Sequence, residues 1–139
     1  MSGGNDLQKT IAKPVEYSGT ALHSGKEVSI RCLPAEADQG IIFRRIDIKG
    51  KPEIKAEAYN VVSTKRCTSI GIKEKEVVIH TAEHMMAAFW AVGIDNIIIE
   101  INNEETPVGD GSALPFVELI ERAGVKELDQ YRHKKVFNN

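Results

Sequence analysis

A chain of 139 residues is the size of one domain, and such a domain buries roughly two thirds of the surface that its unfolded chain exposes. Hydrophobic residues make up 42% of the chain and charged residues 27%, an ordinary composition for a soluble protein. The formal net charge of -2 leaves no basic excess for a nucleic-acid backbone, so we expect no nucleic-acid partner.

Cysteine usage and apolar runs indicate the compartment. The two cysteines, Cys32 and Cys67, are too few for a disulfide framework, and neither belongs to a CxxC pair. No run approaches the roughly 18 apolar residues that span a bilayer. The N-terminus also lacks the apolar region of a signal peptide. We therefore expect a cytoplasmic protein that is not an integral membrane protein.

Much of the first part of the chain reads as short strands. The clearest case is residues 28–33, where apolar and polar residues alternate until Pro34 ends the run. A hairpin tip is expected at the charged residues 73–76, between two short apolar runs. The other strands are expected at residues 40–45, 54–59, 68–72 and 77–79.

After residue 79 the apolar residues recur at helical spacing. Thr81 is expected to be the N-cap of a first helix, and Gly93 to end it. Residues 97–101 follow as a nearly continuous β-branched run, which predicts a strand covered on both faces. The apolar stripe of the helix consists of Met85, Ala88, Phe89 and Val92.

A second helix is expected to start near Ser112, to hold Pro115 in its first turn and to end at Gly124. Its apolar stripe consists of Phe116, Leu119, Ile120 and Ala123. Hairpin-linked strands with two late helices predict an α+β fold, a two-layer domain with a mostly antiparallel sheet and two helices packed on one face.

One short motif raises the question of a metal. His80, Glu83 and His84 match the His-x-x-Glu-His pattern of metallopeptidases, in which two histidines on one helix bind zinc and the glutamate is the general base. A small zinc metallopeptidase is therefore one alternative. However, His80 is expected to close a strand while His84 lies in the first turn of the helix, so the two imidazoles need not face one ion.

An ordinary helix start explains the same residues. A glutamate in the first turn complements the positive end of the helix dipole, and a histidine there can simply cap or pack. The same position disfavours a charged imidazole, which would keep His84 neutral and able to bind a metal. Both interpretations remain open from these residues alone.

Three other segments are ordinary when each is considered separately. His23 lies in a turn of small residues and would most often belong to a surface loop. Residues 107–113 are rich in Gly, Asp and Ser, the usual constituents of a tight turn with a helix cap. Cys67 would usually be a small buried hydrophobic residue.

Five ordered segments nevertheless resemble a known family. They are "SGTALHSGKEVSIRCLPA", "GIIFRR", "TKRCTSIG", "TAEHMMAAFWAVGIDNIIIEI" and "TPVGDGSALPFVELIERAG", of which Leu-His-Ser-Gly and Gly-Asp-Gly-Ser-Ala are the most distinctive. Together they resemble the N-terminal half of the bacterial UDP-3-O-acyl-N-acetylglucosamine deacetylases, the zinc enzymes of lipid A synthesis. The resemblance covers about residues 8–137.

The resemblance implies a site that this chain only partly contains. The family has two similar α+β domains with the active site between them. Glu83 matches the general base, and His84 matches the one zinc ligand of the first domain, whereas His80 matches no ligand. His23 matches a histidine near the substrate cleft, and Cys67 lies in a segment at its mouth, which makes both expected substrate-binding residues. The other two zinc ligands and the general acid belong to the second domain.

We therefore expect the N-terminal domain of a deacetylase that removes the N-acetyl group of UDP-3-O-acyl-N-acetylglucosamine. One imidazole does not hold a catalytic zinc ion, so a C-terminal deacetylase domain in cis or trans is an expected partner. The exposed interdomain face near His84 and Cys67 could also promote self-association. The alternative is a stand-alone, non-catalytic domain of the same fold that binds a nucleotide sugar or a partner.

The expected domain organisation has three parts. Residues 1–7 are expected to be disordered or derived from a tag, residues 8–128 to form the deacetylase N-terminal domain, and residues 129–139 to be an interdomain linker or a frayed tail. The abrupt end of the sequence favours a truncated protein over a natural single domain.

Overall fold

The computed structural model describes residues 6–56, 61–63, 68–72 and 77–133, and within them it contains ten strands and two helices. The strands are β1 (Leu7–Ile11), β2 (Val15–Thr20), β3 (Glu27–Pro34), β4 (Ile41–Arg45), β5 (Glu53–Lys55), β6 (Val61–Ser63), β7 (Thr68–Ile72), β8 (Val77–Ile79), β9 (Ile97–Ile101) and β10 (Val125–Tyr131). The helices are α1 (Glu83–Val92) and α2 (Leu114–Ala123).

A five-stranded sheet in the order β2-β3-β9-β4-β5 forms the centre of the fold. Its neighbours are antiparallel except β4 and β9, which pair in parallel with Phe43 opposite Ile99. A parallel pair needs a crossover, and the chain between β4 and β9 makes it through β5 to β8 and α1. The predicted α+β fold, with a mostly antiparallel sheet and two helices, is confirmed.

One face of this sheet carries the core. Side chains on β3, β4 and β9 alternate between buried and more exposed positions, so every second residue points toward the helices. On β9 the buried residues are Ile97, Ile99 and Ile101, whereas Ile98 and Glu100 are only half-buried.

The prediction that residues 97–101 are covered on both faces is therefore wrong. The face of β9 that points away from the core carries a salt bridge, in which Arg44 Nη1 lies 3.0 Å from Glu100 Oε2. A β-branched run predicts a strand well, but it does not say how many faces that strand buries.

The two helices bury their apolar stripes in the same core. From α1 these are Met85, Met86, Ala88 and Phe89, and from α2 they are Phe116, Leu119, Ile120 and Ala123. Tyr17 of β2 contacts the Phe116 ring edge-to-face, with ring centroids 5.5 Å apart. In the part of the chain that the structure describes, no helix is long and apolar enough to cross a membrane.

The observed helix ends confirm some of the predicted ends and differ from others. Gly93 ends α1 as expected, with φ of 86° and its N–H donating to the Phe89 carbonyl at 2.9 Å. Thr81 is not the N-cap, since Ala82 occupies that position and makes no side-chain cap. Helix α2 begins at Leu114, slightly later than predicted, with Pro115 in its first turn.

The C-terminal strand corrects the expected tail. Residues from Asp129 onward were expected to be a linker or a frayed end, but β10 continues through Tyr131 and pairs antiparallel with β1. Arg132 then binds Asp95, with 3.0 Å between Nε and Oδ2. The polar sequence concealed the strand because the side chains of β10 are mostly exposed, and only its backbone pairing defines it.

A smaller sheet lies in the order β6-β7-β8 and is antiparallel throughout. The expected hairpin tip at residues 73–76 and the part of the expected strand at 57–59 lie outside the described residues. Cys67 does as well. Residues 1–5 and 134–139, parts of the two expected terminal segments, are likewise outside them.

Candidate active site

Three segments that are far apart in the sequence meet at the N-terminal end of α1. They are the turn at residues 21–25 between β2 and β3, the connection 80–82 between β8 and α1, and the loop after β9. Residues 104–107 of that loop, here called the bridging segment, make a single bridge to each neighbour. Glu105 pairs with His80 in parallel, and Pro107 pairs with Ala21 antiparallel.

The turn that carries His23 is held at its base and from the side. At its base the Ala21 N–H donates to the Lys26 carbonyl at 2.9 Å, and Gly25 has φ of 68°, which suits glycine. From the side, the Glu105 carboxylate accepts the His23 N–H at 2.8 Å and the Ser24 N–H at 3.1 Å. His23 itself is exposed, so its backbone is fixed while its side chain remains accessible.

The three residues of the His-x-x-Glu-His motif do not share one helix. His80 directly follows β8, where its N–H donates to the Glu104 carbonyl at 2.6 Å and its carbonyl accepts the Thr106 N–H at 3.2 Å. Helix α1 begins only at Glu83. The arrangement that a metallopeptidase motif requires, with both histidines on one helical face, is therefore not formed.

Thr81 makes the turn between strand and helix in an unusual conformation. Its φ is 61°, in the left-handed region that a β-branched residue rarely adopts. The side chain is buried, and its hydroxyl has no hydrogen-bond partner in the described part of the chain. The Thr81 carbonyl accepts a hydrogen bond from the Thr106 hydroxyl, which contributes to holding this conformation.

Glu83 and His84 are the first two residues of α1, and both are half-buried. Glu83, Ala87 and Trp90 follow one another at i, i+4 and i+7, so they share one face of the helix. Ala87 and Trp90 are exposed, and Trp90 is 71% exposed.

The Gly-Asp-Gly-Ser turn, residues 109–112, lies beside the same helix end. Asp110 Oδ1 accepts the Ser112 hydroxyl at 2.6 Å and the Ser112 N–H at 2.9 Å. These hydrogen bonds lower the pKa of the Asp110 carboxyl, and His84 adds a smaller electrostatic contribution to that lowering. The electrostatic interaction indicates that His84 and Asp110 are neighbours.

Gly109 allows this turn to pack tightly. Its φ is 63°, and a Cβ at this position would lie 3.2 Å from Pro115 Cγ and 3.3 Å from Tyr17 Oη. A larger residue would therefore push the turn away from α2 and from β2.

The described residues supply only part of a metal site. His84 could give one imidazole ligand, but the described part of the chain contains no group of three or more His, Cys, Asp or Glu side chains that could hold a metal ion. Cys32 is no candidate, because burial raises the pKa of its thiol to about 12 and keeps it protonated. The site residue Cys67 lies outside the described residues.

Two residues at the centre of this arrangement were not predicted from sequence. Glu105 and Thr106 are 4% and 2% exposed, yet they stand in the polar run Asn102-Asn103-Glu104-Glu105-Thr106, which reads as a surface loop. The only available signal was their position directly before the distinctive residues 107–113.

Comparison with known proteins identifies the family of this chain. The family described as LpxC: UDP-3-O-acyl N-acetylglycosamine deacetylase matches residues 8–139. Among curated proteins, the UDP-3-O-acyl-N-acetylglucosamine deacetylase of Geotalea uraniireducens (strain Rf4) is 46% identical over 126 residues, which cover 91% of this chain and 40% of that protein. The enzyme of the same name from Brucella melitensis biotype 2 is 43% identical over 128 residues, covering 92% and 44% respectively.

A third relative, the enzyme of that name from Ruthia magnifica subsp. Calyptogena magnifica, is 40% identical over 130 residues, covering 94% of this chain and 41% of the relative. The chain thus spans about two fifths of the length of these relatives. With nearly the whole chain matched by the family and by its curated members, the chain belongs to the UDP-3-O-acyl-N-acetylglucosamine deacetylase family.

Proposed function

We propose that this chain is the N-terminal domain of a zinc-dependent deacetylase that hydrolyses the N-acetyl group of UDP-3-O-acyl-N-acetylglucosamine in lipid A biosynthesis. The observation that carries the proposal is the position of Glu83 and His84 in the first turn of α1. The bridging segment joins the His23 turn to the residues that precede this helix, and Asp110 of the Gly-Asp-Gly-Ser turn interacts electrostatically with His84, in a chain that belongs to the deacetylase family.

Glu83 is the proposed general base. It lies half-buried in the first turn of α1, and a glutamate carboxylate is a group that can accept a proton from water. Glu83 takes the proton of the attacking water, oxygen adds to the acetamide carbonyl carbon, and the C–N bond then breaks to give acetate and the free sugar amine. The proton for that amine would come from the general acid that the family resemblance assigns to the second domain.

His84 is the proposed zinc ligand of this domain. A neutral imidazole has a lone pair that can bind a metal, and His84 is half-buried in the first turn of α1. When bound, zinc would polarise the carbonyl and lower the pKa of water. The described residues fit one ligand of this site and not the three that a catalytic zinc needs, so the others are proposed to come from the C-terminal domain.

Substrate contacts are proposed for His23 and Cys67. His23 is exposed on a turn whose backbone is held by Glu105, which suits a residue that meets a ligand in a defined position. The proposal for Cys67 rests on the family resemblance of its segment. A cytoplasmic location is proposed from the low cysteine count, two in the whole chain.

A C-terminal domain, in cis or trans, is the proposed partner. The chain covers about two fifths of its relatives, and the α1 face that carries Glu83 continues into exposed Ala87 and Trp90. An exposed tryptophan beside a proposed catalytic residue is well suited to be covered by another domain. In the absence of that domain, the same face is proposed to support self-association.

The isolated chain is expected to bind zinc weakly and to have no deacetylase activity. The chain joined to a C-terminal domain should bind zinc tightly and catalyse deacetylation. The C-terminal part of the Geotalea uraniireducens relative can serve as that domain. Zinc affinity is measured by chelator competition, and activity by release of acetate. Tight zinc binding by the isolated chain would contradict the divided site, and an inactive, correctly folded joined protein would favour the stand-alone binding domain.

Trp90→Ala is expected to weaken binding of the separately added C-terminal domain by at least about tenfold, because a buried tryptophan is a common interface hot spot. The change should leave the melting temperature of the isolated chain nearly unaffected, since Trp90 is 71% exposed. Ile46→Ala, which shortens an exposed apolar residue after β4, is the control. Sedimentation and calorimetry measure both domain binding and self-association. Equal affinities of the two variants for the C-terminal domain would exclude this face as the binding surface.

A further inference from the structure

Glu105 is a buried carboxylate whose described partners are backbone groups. It is 4% exposed, and its two oxygens accept the N–H groups of His23 and Ser24 at 2.8 and 3.1 Å. In the described part of the chain no cation pairs with it. A buried charge is costly unless strong hydrogen bonds satisfy it, and charge-assisted bonds of this kind are about twice as strong as neutral ones.

The next residue, Thr106, holds the other side of the site. Its N–H donates to the His80 carbonyl at 3.2 Å, and its hydroxyl donates to the Thr81 carbonyl. Thr81 has a left-handed backbone and directly precedes Ala82, the N-cap of the helix that carries Glu83. A residue in such a conformation persists only where its surroundings hold it.

The two contacts therefore couple two parts of the site through one dipeptide. Glu105 determines where the backbone of His23 lies, and Thr106 determines how the chain enters α1. The bridging segment also makes backbone bridges to both neighbours, and in addition both side chains bind backbone groups next to the site.

We propose that Glu105 and Thr106 are positioning residues, Glu105 for substrate contact through His23 and Thr106 for the general base through the Thr81 turn. This inference rests on the proposed deacetylase function. Glu105 should therefore affect KM, and Thr106 should affect kcat, because one acts on a binding residue and the other on the residue that moves the proton.

Amide hydrogen exchange tests the geometry in the chain as it stands. The N–H groups of His23 and Ser24 should exchange roughly 10- to 100-fold more slowly than that of Leu22, an exposed residue of the same turn, because hydrogen bonds to a charged group protect them. Glu105→Gln should remove protection from at least one of the two, since an amide oxygen replaces only one acceptor. Glu104→Gln is the matched control, with the same charge change at an exposed neighbour.

Kinetics of the chain joined to a C-terminal domain test the function. Glu105→Gln is expected to raise KM about 10- to 100-fold with kcat nearly unchanged, the scale of a small misplacement of a binding group. Thr106→Val should lower kcat by a similar factor with KM retained, and Thr106→Ser, which restores the hydroxyl, should recover most of it. Partial unfolding of the Glu105→Gln protein would instead lower kcat and leave KM as it was. For the Thr106 variants kcat is calculated per folded protein, with the folded fraction taken from the thermal transition, so that unfolding is not counted as a loss of kcat.

An unchanged KM in a folded Glu105→Gln protein would overturn the proposal for Glu105, and failure of Thr106→Ser to recover kcat would overturn that for Thr106. If the Glu105→Gln protein does not fold, hydrogen exchange in the unaltered chain decides the proposal for Glu105. Fast exchange of the His23 and Ser24 amides would overturn that proposal, and slow exchange would support it. A joined protein without deacetylase activity would contradict the proposed function, while amide protection would still support the contact between Glu105 and the His23 turn.

Discussion

Replacing Glu83 by alanine in the chain joined to its C-terminal domain is expected to lower the turnover number about 10²- to 10⁴-fold while zinc stays bound. The change removes the group that accepts the proton of the attacking water, and it leaves the zinc ligands in place. Steady-state kinetics give the loss in kcat, and metal analysis of the purified variant gives the zinc content. KM should change far less than kcat, because Glu83 acts in the transition state.

Two variants make this result specific. Glu83→Gln keeps the size of the side chain but cannot accept the proton, so it should be nearly as inactive as the alanine variant. Glu118→Ala removes an exposed carboxylate from α2 and should retain activity. Substantial activity in Glu83→Gln would contradict the role of general base, whereas loss of zinc from both Glu83 variants would make Glu83 a ligand.

Replacing His84 by alanine is expected to weaken zinc binding by more than about 100-fold and to abolish activity with it. Mutating a residue that only supports a metal ligand typically costs 10- to 100-fold in affinity, so losing the ligand itself should cost more. Chelator competition on the joined protein measures the zinc affinity directly. Excess zinc should restore part of the activity if the general base is intact, which distinguishes His84→Ala from Glu83→Ala.

His80→Ala is the matched control, since it removes the other histidine of the motif. His80 precedes α1 and is bound to the bridging segment through its backbone, which alanine retains. Zinc affinity should therefore change little. A loss of zinc equal to that of His84→Ala would contradict the proposed ligand set, and indifference to both changes would favour a non-catalytic domain.

Several elements could be read from the sequence because their signals are local. The alternation of apolar and polar residues at 28–33 predicted a half-buried strand, and the spacing of Phe116, Leu119 and Ile120 predicted the apolar face of a helix. Both predictions follow from backbone geometry, which sets how often a side chain returns to the same face. Gly93 ended its helix as expected because a left-handed residue costs glycine little. The five ordered segments predicted the family, and the comparisons confirmed it.

Local signals failed where the partner of a residue lies far away in the chain. β10 is polar because its side chains are mostly exposed, and only pairing with β1, more than 100 residues earlier, makes it a strand. Ile98 looks like a core residue in a run of isoleucines, yet the face of β9 on which it lies is only half-covered. Thr81 looked like an N-cap, but Thr106 binds its carbonyl and the helix starts later.

For the proposed site, too, some features follow from the sequence and others only from the tertiary structure. The sequence by itself determined which residues could take part, because His23, Glu83 and His84 stand in distinctive motifs and carry groups that bind or move protons. Only the tertiary structure decided that Glu105 is buried against the His23 turn while Glu104 beside it is exposed. The two glutamates are identical in chemistry, and what separates them is the set of backbone N–H groups that folding brings within hydrogen-bonding distance.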